Sequence, residues 1–263
     1  MESKKQTAAV VGACGGAGAT RLTVEIAATM ARAGHEVCVV DAALATQGLA
    51  GYVSGRIDPD VTKVLADDAP IDDALFELDL DFESDADLDP EPPEPGRVAV
   101  CPASAPLERL ARAQTAGSAR ALTNLLDRLT GFDAVLVDTP PVATNLALSA
   151  VTAADRVGVV VPPDERGADA LQRVRSRLAD AGAPLDVVIA NRIGDGTPAG
   201  ENSLLDADVV VSESDFRTPS AAPACVDPDA RFAPAVARAA ESLFDQPLEL
   251  AFPEEGVLGR FLE

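Results

Sequence analysis

The sequence predicts an α/β fold: a doubly wound, mostly parallel sheet with helices on both faces, forming a single domain. Three observations predict it. Short apolar runs alternate with longer stretches of helical period along most of the 263 residues. The apolar runs are continuous, as strands buried on both faces require. A glycine-rich turn, Gly12 to Gly18, stands between the first apolar run and the first helical stretch, where such folds place a ligand. A chain of this length suits one large domain that hides about three quarters of its unfolded surface.

The elements follow in order. Ala8 to Val11 forms the first strand. Residues 20–33 put Leu22, Ile26, Met30 and Ala33 on one helical face, and Gly34 ends the helix. Val37 to Val40 is a second buried strand, closing at Asp41 and completing a βαβ unit. Val98 to Val100 is a strand, residues 118–130 a helix, and Ala134 to Val137 a strand ending at Asp138. Val157 to Val161 is a strand, followed by a helix over 165–181 that stops at Gly182. Leu185 to Ala190 is a strand ending at Asn191, Val209 to Val211 a further strand, and residues 231–244 a terminal helix. No internal repeat interrupts the series.

One segment departs from it. Residues 67–96 carry 13 acidic residues and no basic one, and run through Asp89-Pro90-Glu91-Pro92-Pro93-Glu94-Pro95. Proline stiffens a chain and blocks ladder pairing. The segment is expected to be an acidic, Pro-rich insertion exposed on the domain, either a solvated loop or an acidic docking arm.

Charge narrows the function classes. Acidic residues number 43 against 21 basic, giving a net charge of -22. Only Lys4, Lys5 and Lys63 are lysine. No basic nucleic-acid footprint is expected, nor attraction to an anionic membrane. Like charge at this density is tolerated where salt screens it, which suggests a halophilic cytoplasm or simply an acidic protein. The four cysteines (14, 38, 101 and 225) make no CxxC pair, so reduced thiols are expected rather than zinc or a redox motif. His35 is the only histidine, in a Gly34-His35-Glu36 turn, and a solvated surface role suits it better than catalysis. No run of 18 apolar residues occurs and no apolar run follows the N-terminal lysines, so neither a transmembrane span nor a signal peptide is expected.

The turn Gly12-Ala13-Cys14-Gly15-Gly16-Ala17-Gly18-Ala19-Thr20-Arg21 carries the chemistry. Glycines between a buried strand and a helix let main-chain amides converge on an anion, helped by the helix dipole. Phe132-Asp133-Ala134-Val135-Leu136-Val137-Asp138-Thr139-Pro140-Pro141 forms a second cluster. Ala153-Ala154-Asp155 with Pro162, Asn191-Arg192, and Val98-Ala99-Val100-Cys101-Pro102-Ala103 follow the same order and spacing. Together they resemble the ParA/MinD group of P-loop ATPases, the SIMIBI class with a deviant Walker A loop, over nearly the whole chain outside the acidic segment.

The resemblance implies a P-loop NTPase-like fold that binds ATP or ADP with magnesium. It implies phosphate contacts from Gly12, Gly15, Gly16, Gly18, Thr20 and Arg21, base contacts from Asn191 and Arg192, and metal ligation by Thr20, Asp41 and Asp138. Arg21 either approaches an α-phosphate or faces solvent. The family's loop is Lys-Gly-Gly-x-Gly-Lys-Thr-Thr/Ser. Cys14 stands in place of its first lysine, which crosses to a partner subunit, and Ala19 in place of its phosphate-binding lysine. Ala43 replaces the second Asp of the family's Asp-x-Asp, which helps position the attacking water. Gln47-Gly48-Leu49 matches the continuation loosely.

These departures predict a degenerate member with lost or weak hydrolysis and no catalytic residue to assign. Losing one preorganised donor at a transition state commonly lowers the rate about 10²–10³-fold. Such a protein is expected to act as a cytoplasmic regulatory or scaffolding module in cell organisation, division, motility or partitioning, through a protein partner and as a possible homodimer. A slow genuine ATPase is the alternative. A Rossmann-type dinucleotide-binding protein is a second one: Gly12, Gly16 and Gly18 fit a short-chain dehydrogenase loop, with Asp41 on a ribose. That family needs Tyr-x-x-x-Lys, whereas Tyr52 is followed by Arg56. The tail from Gly256 to Glu263 places Val257, Leu258, Phe261 and Leu262 at helical spacing, and is expected to pack on the domain or fray rather than anchor to a membrane.

Overall fold

In the computed structural model, residues 5–82, 94–193, 205–214, 223–226 and 232–252 are described. Eight strands form one sheet in the order β3-β4-β2-β5-β1-β6-β7-β8. They are β1 (Gln6–Gly12), β2 (Val37–Asp41), β3 (Phe76–Glu77), β4 (Val98–Cys101), β5 (Ala134–Thr139), β6 (Arg156–Val161), β7 (Val187–Ile193) and β8 (Val209–Ser212). Every pairing is parallel except that of β3 with β4.

Alternate residues of each strand feed opposite faces. Ala8, Val10, Val37, Val39, Ala134, Leu136 and Val187 meet α1 (Ala19–Arg32) and the last described helix, α7 (Ala233–Phe244), through Ile26, Met30, Val236 and Leu243. Cys38, Val40, Ala99, Val135 and Val137 face α2 (Val61–Asp67), α3 (Leu107–Ala113), α4 (Ala116–Arg128) and α5 (Asn145–Ala153). Ala9, Val11, Val157, Val159 and Val188 face α6 (Glu165–Ala181). The expected two-faced winding is therefore present.

Local signals start and stop the helices. Thr115, Thr144 and Asp164 cap α4, α5 and α6 by accepting hydrogen bonds from Ser118, Ala147 and Gly167 amides. Gly182 ends α6 at φ 69°. Asp164→Ala is expected to destabilise the protein by about 1 kcal/mol, read by urea denaturation, because Gly167 N–H would lose its 2.6 Å acceptor.

The acidic segment differs from its expectation in its first half. Residues 72–74 make a 3₁₀ turn, and β3 pairs antiparallel on β4 through Phe76↔Val100 and Glu77↔Ala99. Ile71, Ala74 and Leu78 are buried. These apolar residues among the acids pack into the core on either side of the two-residue edge strand, so this half is part of the domain rather than an exposed excursion. Residues 83–93, with the proline run up to Pro93, lie outside the described residues. So does the tail after Phe252.

The strand order also overturns the dinucleotide reading. A Rossmann sheet sets its second strand beside the first, but here β5 separates β1 from β2. Asp41 therefore ends a strand one place removed from the glycine turn. Among the described residues no helix is long and apolar enough to cross a membrane.

Candidate functional site

The C-terminal ends of β1, β5 and β2 converge beside the N-terminus of α1. The turn between β1 and α1 uses glycine where it must. Gly16 and Gly18 take φ of 82° and 86°, a region side chains rarely adopt. A methyl group on Gly18 would also come within 2.5 Å of Asn191 Nδ2. At Gly15 and Gly16 nothing would lie within 4 Å of an added carbon. The middle of the turn thus borders open space in front of the α1 amides. Ala13 N–H donates to Val160 O at 2.9 Å and Leu22 N–H to Gly18 O at 3.0 Å, which hold the two ends of the turn.

Thr20, in the first turn of α1, donates its hydroxyl to Asp138 Oδ2 at 2.7 Å. Asp138 and Asp41 are direct register partners on β5 and β2. Both are buried, at 1% and 0% exposure. Asp41 Oδ1 accepts from Ala43 N–H at 2.8 Å and Oδ2 from Ala103 N–H at 3.1 Å. Burial pushes the Asp41 carboxyl up to about 8, reinforced by the neighbouring charge of Asp138. Burial also raises Asp138, to about 6, against the opposing hydrogen bond from Thr20. Two buried acids side by side favour a cation between them or a shared proton. The hydroxyl and carboxylate of Thr20 and Asp138 suit magnesium, which takes oxygen ligands and keeps several waters. Asp41 stands behind them, with both oxygens already held by main-chain amides.

The segment after β2 closes over this pair. Ala42 N–H donates to Asp138 O at 2.9 Å. A methyl group on Gly48 would come within 3.0 Å of Thr20 Cγ2. Gln47, at φ 51°, bonds Ala105 in both directions, through Oε1 at 2.9 Å and Nε2 at 3.1 Å. Asp60 accepts from Ser104 N–H at 2.7 Å. Three consecutive amides after β4 (103, 104 and 105) are therefore held by Asp41, Asp60 and Gln47. Sequence reasoning missed Asp60 and Gln47 as partners of this segment. Asp60 as the N-cap of α2, accepting from Lys63 N–H, was the available signal, and seven residues repeat the helical period too few times to be read.

Beside Gly18 a cleft of about 290 Å³ opens, lined by Arg21, Leu22, Glu25, Tyr52, Asn191, Arg192, Ser212, Glu213, Ser214 and Phe232 among others. Asn191 Nδ2 donates to Ala17 O at 2.9 Å. Arg21 is part-exposed on the wall of this cleft, and its guanidinium pairs with Glu25, one helical turn on. Glu25 is buried at 2% exposure and also accepts from Ala224 and Cys225 amides, at 3.1 and 2.9 Å. Its place three residues after Leu22 on the apolar stripe was the sequence sign of this buried acid. Among the described residues no lysine approaches the turn. Lys5 donates to Leu126 O at 2.5 Å and Lys63 pairs with Asp58. Ala19 and Ala43 are themselves buried, at 8% and 6% exposure.

The profile of a family described as an AAA domain matches residues 5–181. No curated protein matches the sequence. Several solved structures share the fold. The septum site-determining protein MinD complexed with Mg-ADP, from Pyrococcus horikoshii OT3, superposes with a TM-score of 0.71 at 22% identity, over 90% of this chain and 95% of that one. MinD in the MinC:MinD cell division protein complex of Aquifex aeolicus gives 0.70 at 22% identity, over 94% and 98%. Cobyrinic acid a,c-diamide synthase from Mycobacterium smegmatis, with bound ADP and magnesium, gives 0.58 at 26% identity, over 77% and 80%.

Proposed function

The chain belongs to the AAA-domain family as a ParA/MinD-like P-loop ATPase by descent, and from that premise we propose that it binds magnesium nucleotide yet hydrolyses it little or not at all. The observation that carries this reading is the pairing of Thr20 with Asp138 at 2.7 Å beside an alanine at position 19. The oxygen pair that suits magnesium is in place. The loop cation that neutralises transferring phosphoryl oxygens is not.

The site residues take the following roles under this proposal. The amides of the Gly12 to Gly18 turn and the α1 N-terminus hold the phosphates, Thr20 and Asp138 hold magnesium, and Asp41 stands behind them. Magnesium, when bound, neutralises phosphate oxygens. Asn191 stands at the nucleoside end of the cleft. Cys14 cannot carry positive charge across to a second subunit, so nucleotide-driven pairing through that position is lost. A constitutive homodimer is compatible with the rest. The protein acts in the cytoplasm as a regulatory or scaffolding module of cell organisation, division, motility or partitioning, through a protein partner. Support for a partner comes from MinD of Aquifex aeolicus, which is found with MinC. The net charge of -22 favours a protein surface over nucleic acid or anionic lipid, and suits a salt-rich cell interior.

Calorimetric titration with ADP, with and without magnesium, tests the binding half in molar potassium chloride. Saturable binding that weakens at least tenfold on magnesium removal is expected. Equal binding in both conditions contradicts the assignment of Thr20 and Asp138. The slow-ATPase alternative is favoured by the same intact oxygen pair, and turnover decides between them.

A further inference from the structure

We propose that the positive charge of this anion site comes from Arg192, on the nucleoside side of the turn, so that it grips the phosphates nearest the nucleoside and is indifferent to a terminal γ-phosphate. The ligand class is then a nucleoside mono- or diphosphate. The inference rests on the nucleotide-binding reading above and assigns Arg192 to phosphate rather than to the base.

A bulge with a left-handed residue, and the side-chain position that results, aim Arg192 at the turn. The β7–β8 ladder slips there: Asn191 pairs with Val211 but Ile193 pairs with Ser212, so two residues oppose one. Such bulges redirect a side chain. Arg192 takes φ 66°, a left-handed conformation that an arginine rarely adopts without reason. Its guanidinium then lies over Gly18: a methyl group there would come within 3.3 Å of Nε and 3.6 Å of Nη2. Arg192 is exposed, and among the described residues no carboxylate pairs with it.

The chemistry follows from position. The guanidinium sits where the glycine turn meets the cleft that Arg21 and Asn191 also line. An arginine there offers several N–H donors to phosphate oxygens, which a lysine at position 19 would have approached from the opposite side. The far end of the turn, at Gly15 and Gly16, borders open space, with no basic side chain placed there among the described residues. Among the described residues, positive charge therefore gathers at the Gly18 end of the turn, where the first phosphates would sit.

The test is calorimetric titration of the full chain, at low salt and in molar potassium chloride, with adenosine, AMP, Mg-ADP and Mg-ATP. Arg192→Asn removes the charge yet tolerates a left-handed backbone; Arg192→Lys keeps the charge. Wild-type protein is expected to bind Mg-ATP no more than about threefold tighter than Mg-ADP. Arg192→Asn is expected to weaken AMP and ADP about tenfold while leaving adenosine unchanged. Arg192→Lys recovers most of that loss, and all these differences shrink in molar salt. An equal loss for adenosine places Arg192 on the base and overturns the proposal, as does unaltered ADP binding. Wild-type protein that binds no nucleotide overturns the underlying reading instead, which keeps the two failures apart. Unchanged melting temperatures exclude a folding defect at this exposed position.

Discussion

Ala19→Lys is expected to raise affinity for Mg-ATP by about 10–100-fold, the usual worth of hydrogen bonds to a charged group at ~1.5–3 kcal/mol. Ala19 opens α1, and its neighbours across the turn, Gly15 and Gly16, leave the facing volume empty. A lysine there must leave a buried position beside Gly12 to extend from the helix start into that volume, so the variant's melting temperature is read alongside its affinity. Its ammonium would meet the outer phosphates, so the gain for ATP exceeds the gain for AMP. Adding Ala43→Asp raises turnover rather than affinity, since the resemblance makes that position one that orients water. The added acid joins Asp41 and Asp138 in a buried cluster, so the double variant is expected to need magnesium for full stability. Titration and phosphate release, measured on both variants, check this. A double variant that gains neither affinity nor turnover contradicts the claim that the phosphate pocket is otherwise intact.

Asp138→Asn is expected to separate stability from binding. The carboxyl of Asp138 is pushed up to about 6 and that of Asp41 to about 8, each chiefly by burial. Between the ordinary carboxylate pKa near 3.8 and these raised values, the folded protein keeps a proton that the unfolded chain has lost. Stability of the nucleotide-free protein is therefore greatest at low pH in this window and falls as pH rises through about 8. Asparagine keeps the acceptor for Thr20 and removes the charge. The variant is expected to gain roughly 1–3 kcal/mol at pH 8 and little at pH 5. It also loses the magnesium dependence of nucleotide binding. Urea denaturation at both pH values, paired with titration, reads the two effects. Lower stability of the variant at pH 8 would show that the acid pair is not strained.

The sequence carried the central strands well because they are buried on both faces and read as unbroken apolar runs. Val37 to Val40 and Val157 to Val161 match the observed strands within one residue. The helix over 165–181 matches because Asp164 and Gly182 mark both ends. The strand expected over 185–190 instead runs from Val187 to Ile193, since its pairing continues through the Arg192 bulge. α2, α3 and α5 were not legible. α2 and α3 have seven residues each, and α3 opens on Leu107 at 82% exposure, against any apolar stripe. α5 fell between two runs read for their motifs, the one ending at Pro141 and the one opening at Ala153.

At the site, position was legible where the elements set it: the glycine turn lies between β1 and α1, and Asp41 and Asp138 lie at the ends of β2 and β5. The orientation of Arg21 was not, because its direction is set by Glu25 and by the amides of Ala224 and Cys225, some 200 residues away. The bulge that turns Arg192 toward Gly18 arises from pairing with β8 and leaves no local mark in the sequence.

The most direct test is phosphate release from saturating Mg-ATP by the full-length wild-type protein in molar potassium chloride, run beside a ParA/MinD-type ATPase with both loop lysines. The account predicts bound nucleotide with turnover at least 100-fold below that reference. Turnover equal to the reference contradicts it, since main-chain dipoles, magnesium and Arg192 would then suffice for chemistry assigned to the missing ammonium.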